Sequence, residues 1–271
     1  MGLGVIFVSG PRRSGKSAVI RAMIDRLFRR DPHYIRLVRI GSDKRPPKQP
    51  VKIPPDLGVA SAHWLQYDDD RIYEVLPEAL TRIHRDDRFG AVVIEADADP
   101  AVRHAYPYDH RVFVMPVPTN VHDVFRTPQE AAGALQEVLK DTTTFASEMF
   151  GLLDEGLGAD GPAREERYDL TATQWRGFLY SPLGEELTTR VQLQPPYHGL
   201  VESDLVVVNT ALGDPQIEGN PCLDKASALL SYMGKLTGRR TEIHVCDLYC
   251  EDDPAGRKLL KALRPMCRGG K

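Results

Sequence analysis

This sequence lacks long hydrophobic runs. Of its 271 residues 42% are apolar, yet no run approaches the roughly 18 apolar residues that span a bilayer, which argues against a membrane partner. The amino end, "MGLGVIFVSG", has no basic segment ahead of its apolar residues and is not expected to act as a secretory leader. It starts Met-Gly but carries Ile6 where a myristoylation signal needs Ser or Thr. The expected compartment is the cytoplasm. Cysteine is scarce: Cys222, Cys246, Cys250 and Cys267 are the only four, too few for a disulfide framework in a chain of this length. Cys246 and Cys250 could be drawn with His244 as a metal site, but buried structural thiols are the expectation. A basic surplus is missing too. The net charge of −3 argues against a general nucleic-acid binder, and the clusters "RPPKQPVK" and "GRKLLKALR" read as solvated faces.

What is present is an alternation of apolar blocks with amphipathic ones. "GVIFV" (4–8), "YIRLVRIG" (34–41), "GAVVIEAD" (90–97), "RVFVMPVP" (111–118), "DLVVVNTA" (204–211) and "TEIHVCDL" (241–248) predict six strands. Most are bare apolar runs, as expected for strands buried on both faces. Residues 17–30, 71–85, 222–236 and 253–264 predict helices, the last with Asp253 as N-cap and Pro254 in its first turn. A further helix starts at Thr127, which forms a capping box with Glu130, and its apolar face runs on to Leu152. The five prolines of 43–58 mark a long loop, and 154–171 reads as an exposed one. Residues 174–203 carry Trp175, Phe178, Tyr180 and Tyr197 and are expected to be ordered. Strands separated by helices give an α/β fold: a mostly parallel sheet with helices on both faces and an insertion before the fifth strand. We expect a single domain over 1–271, with 154–203 inserted in it.

Chemistry concentrates in the octet "GPRRSGKS", Gly10–Ser17. It meets the pattern G-x-x-x-x-G-K-[ST] in full, between a buried strand and an amphipathic helix. That context matters physically. Glycines let the backbone come close to phosphates, and the helix N-terminus adds about half a positive charge at the same point. Gly10, Pro11, Arg12, Arg13, Ser14, Gly15, Lys16 and Ser17 are therefore the candidate phosphate cradle. Lys16 would reach the β- and γ-phosphates and the Ser17 hydroxyl would bind Mg²⁺. Glu95 closes the strand "AVVIE", where open α/β sheets bind ligands, with Asp97 and Asp99 behind it. It is the candidate carboxylate for Mg²⁺ or the attacking water. Asp43, after the second strand, is a candidate metal-side residue or a turn residue. Gln192, Gln194, Tyr197 and His198 could line a site or simply pack a loop, and no spacing makes His104, His110 and His198 metal ligands.

With these residues in place the chain resembles the SIMIBI class of P-loop NTPases. It looks most like the metal-insertion GTPases of urease and hydrogenase and the nucleotide-binding protein of molybdenum-cofactor guanylation. "GPRRSGKSAVI", "AVVIEADADP", "ESDLVVVNTALGD" and "TEIHVCDLYCEDDPAGRKLLKALR" carry the resemblance. It implies a P-loop NTPase fold, Mg²⁺ with ATP or GTP, a protein partner, a homodimer, and a base-reading role for Asn209. Two departures stand out. Thr210 and Leu212 occupy the Lys and Asp positions of the base-reading motif, and the nickel-binding Cys-Pro-His is absent, since no cysteine precedes Cys222.

Three functions follow as expectations: an NTPase that matures or regulates a partner; a small-molecule kinase whose insertion supplies Arg164, Arg167 and Arg176 as a lid; and a nucleotide-binding interaction protein with little turnover. The base position yields a first test. Leu212 offers guanine no acceptor, whereas an amide such as that of Asn209 presents both donor and acceptor faces. ATP and GTP should therefore bind within about tenfold of each other, about 1.4 kcal/mol, with ATP at least as good. Parallel titrations decide it; a hundredfold preference for GTP would mean that another acidic residue reads the base.

Overall fold

The apolar run at the amino end forms β1 (Gly4–Ser9), in which every residue is buried. Total burial of a strand requires neighbours on both edges and layers on both faces, and β1 has them. The computed structural model describes residues 4–27, 35–40, 62–64, 91–96, 110–138, 182–210, 217–248 and 253–266. Within them lie β2 (Ile35–Ile40), β3 (Ala62–Trp64), β4 (Ala91–Ala96), β5 (His110–Pro116), β6 (Leu205–Asn209) and β7 (Glu242–Cys246). All pairings are parallel, and the order is β3-β2-β4-β1-β5-β6-β7. β1 thus sits between β4 and β5, with the chain running to β2 on one side and to β5, β6 and β7 on the other. Loops at the carboxyl ends of strands diverge at such a point and leave a crevice there.

Six of the seven strands lie where the apolar runs place them. β3 is the exception: "AHW" is too short to show a period of two. The predicted helix at 71–85 and the loops at 43–58 and 154–171 lie outside the described residues.

Chain contacts divide the molecule into two units, one of Met1–Val124 with Pro195–Lys271, the other of Phe125–Gln194. In the first, α1 (Lys16–Leu27) and the closing helix cover one face of the sheet. Val19, Ile20 and Met23 of α1 meet Ile6, Val8, Val112, Val114, Leu205, Val207 and Cys246 in one apolar cluster. Each such side chain contributes roughly 1.5–3 kcal/mol when fully buried. The other face carries Phe113, whose ring lies 6.2 Å from that of Tyr197. Tyr197 belongs to a 3-10 helix, Pro195–Glu202, so "PPYHGLVE" is a packed element. Burial, with the nearby acidic Asp123, pushes the Tyr197 hydroxyl above its ordinary pKa.

Opposite the carboxyl ends of the strands, Arg111 fastens the starts of β5 and β6. Its guanidinium meets Glu202 at 2.8 Å, while its backbone N–H donates to Asp204 Oδ2 at 2.8 Å and its carbonyl accepts from the Asp204 N–H at 2.9 Å. Cys222 and Cys246 are free and buried. Burial pushes their thiols up to about 11 and about 12, so both stay protonated at neutral pH, as buried structural thiols do. Cys250 and Cys267 lie outside the described residues.

In the second unit, α2 covers residues 128–138 and opens with the expected box: Glu130 Oε2 accepts from the Thr127 N–H at 2.8 Å, and Thr127 Oγ1 from the Glu130 N–H at 3.3 Å. α3 (Pro182–Arg190) follows, in a stretch where the sequence predicts order without an element type. A bridge from Phe125 to Leu193 closes the unit.

Among the described residues the first unit also holds the short helix Val121–Val124 and two longer ones, α4 (Pro221–Thr237) and α5 (Pro254–Met266). In α5, Asp253 Oδ1 accepts from the Ala255 N–H at 2.9 Å, as a cap should. α4 starts one residue earlier than the sequence predicts, because Asn220 caps it. Asn220 Oδ1 accepts from the N–H groups of Cys222 and Leu223 at 3.0 and 3.2 Å, and its amide donates to the Pro118 carbonyl at 3.0 Å. Asn220→Ala should lower stability by about 1–2 kcal/mol. A urea midpoint equal to that of the wild type would show the cap to be dispensable.

Candidate functional site

The octet turns from the end of β1 into α1. Gly10 has φ 147° and Gly15 φ 102°, conformations that glycine tolerates, and Arg13 takes φ 62°. A left-handed arginine costs roughly 1 kcal/mol or more. Left-handed residues set among ordinary ones bend a backbone into a concavity whose N–H groups suit an anion. α1 begins directly behind it: the Gly15 carbonyl accepts from the N–H groups of Ala18 and Val19 at 2.9 and 3.1 Å.

Both glycines are also required by space. A Cβ on Gly10 would stand 1.9 Å from the Val114 carbonyl oxygen of β5, and one on Gly15 2.4 Å from Asn209 Nδ2 and 3.4 Å from Leu248 Cδ1. The loop is therefore pressed against the ends of β5 and β6.

Three side chains define the chemistry. Lys16 is buried, and its ammonium donates to the Gly10 and Pro11 carbonyls at 3.0 and 2.9 Å. A buried ammonium must be hydrogen-bonded, and these carbonyls serve it within the cradle itself. The Ser17 hydroxyl donates to Glu95 Oε1 at 2.7 Å. β4 pairs with β1 so that Glu95 lies opposite Val8, which carries the carboxylate to the first turn of α1. Glu95 is only 4% exposed. Residues 78 apart in sequence thus place a hydroxyl and a carboxylate side by side at the mouth of the loop.

Asn209, 1% exposed, ends β6 and donates through Nδ2 to the Ser14 carbonyl at 3.2 Å. The Ser14 hydroxyl is buried and has no hydrogen-bond partner among the described residues. Of the predicted site residues, Gly10 to Ser17, Glu95 and Asn209 are thus brought together. Asp43, Asp97, Asp99, Arg164, Arg167, Arg176, Leu212 and Asp214 lie outside the described residues. Among the described residues no group of three or more His, Cys, Asp or Glu could hold a metal ion, and no helix is long and apolar enough to cross a membrane.

Sequence reasoning missed two contributors. The Val114 carbonyl is a backbone atom and carries no residue-type signal. Leu248, just past β7, reaches Gly15 only through tertiary packing.

No protein-family model matches the sequence, and no curated protein matches it. Solved structures do. The hydrogenase maturation factor HypB from Archaeoglobus fulgidus is 14% identical, with a TM-score of 0.48 over 98% of this chain and 91% of that one. HypB from Helicobacter pylori in complex with nickel is 12% identical, with a TM-score of 0.46 over 98% and 88%. An LAO/AO transport system kinase is 10% identical, with a TM-score of 0.46 over 98% of this chain and 59% of that one.

Asn209 supplies the test of this geometry. An amide that braces the Ser14 carbonyl shapes the cradle whatever base is bound. Asn209→Ala should weaken ATP and GTP alike, by about five- to tenfold for one lost buried hydrogen bond. Loss of one nucleotide with retention of the other, measured by calorimetry, would give Asn209 a base-reading role instead.

Proposed function

We propose that this chain is a Mg²⁺-dependent nucleoside triphosphatase, using ATP or GTP, that acts in the maturation or regulation of a protein partner, in the cytoplasm. The observation that carries the reading is the 2.7 Å contact between Ser17 and Glu95 beside the anion-binding loop. A hydroxyl and a carboxylate are hard oxygen donors, the set that Mg²⁺ prefers when it also takes phosphate oxygens. Ser17 and Glu95 would hold the ion. Bound there, Mg²⁺ supplies positive charge to the phosphate oxygens.

The chain's own residues do the rest. The loop from Gly10 to Gly15 and the N-terminus of α1 receive the phosphates through backbone N–H groups and the helix field. Lys16 exchanges the Gly10 and Pro11 carbonyls for phosphate oxygens. The exchange replaces two neutral acceptors with anionic ones, so the buried ammonium is never left bare. Glu95 is anchored by β4 and aligns the ion or a water near the terminal phosphate, an interaction that matters most as charge shifts in the transition state. The partner is inferred from the sequence resemblance, an analogy of family rather than of site.

The two side chains separate binding from turnover. Lys16→Ala should abolish triphosphate binding, because it removes the point charge on the β- and γ-phosphates; unchanged ATP and GTP affinity by calorimetry would refute the reading. Glu95→Gln should leave nucleotide affinity within a few-fold and slow hydrolysis at least tenfold. Hydrolysis at the wild-type rate would pass the role to another residue.

A further inference from the structure

Among the described residues β7 ends the sheet and pairs with β6 alone. The Glu242 N–H donates to the Asp204 carbonyl at 3.1 Å, and the Cys246 carbonyl accepts from the Thr210 N–H at 3.0 Å. In an extended strand the N–H and C=O of one residue point the same way, and successive residues alternate. Glu242, His244 and Cys246 therefore face β6, while Ile243 and Val245 direct their backbone groups away from the sheet.

Edge strands are usually blunted by proline, a bulge or an unpaired charge. β7, "EIHVC", has no proline and pairs without a break from Glu242 to Cys246. Its carboxylate Glu242 Oε2 lies 3.3 Å from His244 Nε2 of the same strand, a contact that becomes an ion pair when the imidazole carries a proton. Ile243 is 37% exposed, one of three large apolar side chains left out among the described residues.

We infer that β7 pairs antiparallel with β7 of a second copy, about a two-fold axis at Ile243, and joins two sheets into one. The register follows from the residues. Centred on Ile243, each Ile243 exchanges both backbone hydrogen bonds with the partner's Ile243. Val245 does the same with the partner's Thr241. Glu242 then stands directly opposite the partner's His244, in the close non-hydrogen-bonded pairing where side chains interact most. The strand is self-complementary there: carboxylate meets imidazole twice and isoleucine meets isoleucine once. The other register that uses outward backbone groups at these residues, centred on His244, sets imidazole against imidazole and leaves Glu242 opposite Cys246. Among the described residues the far edge is β3, which offers three residues for head-to-tail pairing against five in β7, so the closed two-fold arrangement is favoured over a filament. The interface lies at a sheet edge and does not depend on nucleotide.

The test is sedimentation equilibrium on the full chain over about 1–200 μM, with nucleotide titration and thermal unfolding as folding controls. The wild type should dimerise. Ile243→Pro removes an outward N–H and leaves the β6 ladder whole, so it should give a monomer with unchanged nucleotide affinity. Glu242→Lys, independent of any backbone effect, should weaken association at least tenfold by setting a cation against the partner's His244. The exchange Glu242→His with His244→Glu should restore it, because the same pairs reform with their roles reversed. A monomeric wild type, or dimers that survive both Ile243→Pro and Glu242→Lys, would overturn the proposal. A dimer that the exchange fails to restore would overturn the register.

Discussion

The close approach of the octet's backbone to the ends of β5 and β6 is the constraint from which the other features of the site follow. With no side chain at Gly10 the loop comes against the Val114 carbonyl, and with none at Gly15 it comes against the Asn209 amide. Those contacts fix where the loop stops and α1 starts. The start of α1 in turn fixes Ser17 in its first turn, within 2.7 Å of a carboxylate delivered by a different strand. A bulkier residue at either glycine would displace more than the phosphate cradle, because the helix that carries the hydroxyl hangs from it. Arg13 in the left-handed region fits this picture. Its strain is borne at the point where the loop must reverse, between two glycines that are already committed.

Lys16 shows how such a site tolerates a buried charge. An ammonium without hydrogen bonds in the interior would carry a penalty of several kcal/mol. Here the loop's first two carbonyls take it up, at 3.0 and 2.9 Å. The backbone that offers N–H groups to an anion thus offers C=O groups to the cation that will meet the anion. If the proposed function holds, the ammonium keeps two charge-assisted hydrogen bonds through the exchange and gains the attraction between opposite charges, because phosphate oxygens are anionic where the carbonyls are neutral.

Much of this was legible in the sequence, for a physical reason. Strands buried on both faces must be apolar throughout, so six of seven announced themselves. The octet combines residue types that only a strand–loop–helix with close backbone approach requires, so its local geometry was readable from eight positions. Caps at Thr127 and Asp253 were readable because they act within a few residues. What escaped depends on distance in the chain. β3 is held by its neighbour β2 rather than by its own pattern. Asn220 as a cap was hidden because Pro221 and Cys222 already read as a helix start. By resemblance the amide of Asn209 reads as a base reader, yet it donates to the Ser14 carbonyl, 195 residues away, and no local signal joins them.

The same distinction bears on the edge of the sheet. A strand in the middle of a parallel sheet is chosen for burial on both faces and carries little information about order along the sheet. An edge strand must also specify what happens on its open side. β7 differs from β1 and β6 in this respect: it mixes Glu242 and His244 with apolar residues, and its burial rises from exposed at Glu242 to buried at Cys246. Cys246 is buried beside Asn209 in the register of the two strands, so that end of β7 belongs to the core under the phosphate loop. The start of β7 lies about four residues away, roughly 13 Å at the rise of a strand. Pairing centred on Ile243 therefore engages the exposed half of the strand and leaves Cys246, Asn209 and the loop above them outside the interface. The two ends of one short strand can in this way serve two purposes, assembly at its outer half and support of the phosphate site at its inner one, because burial changes from residue to residue along it.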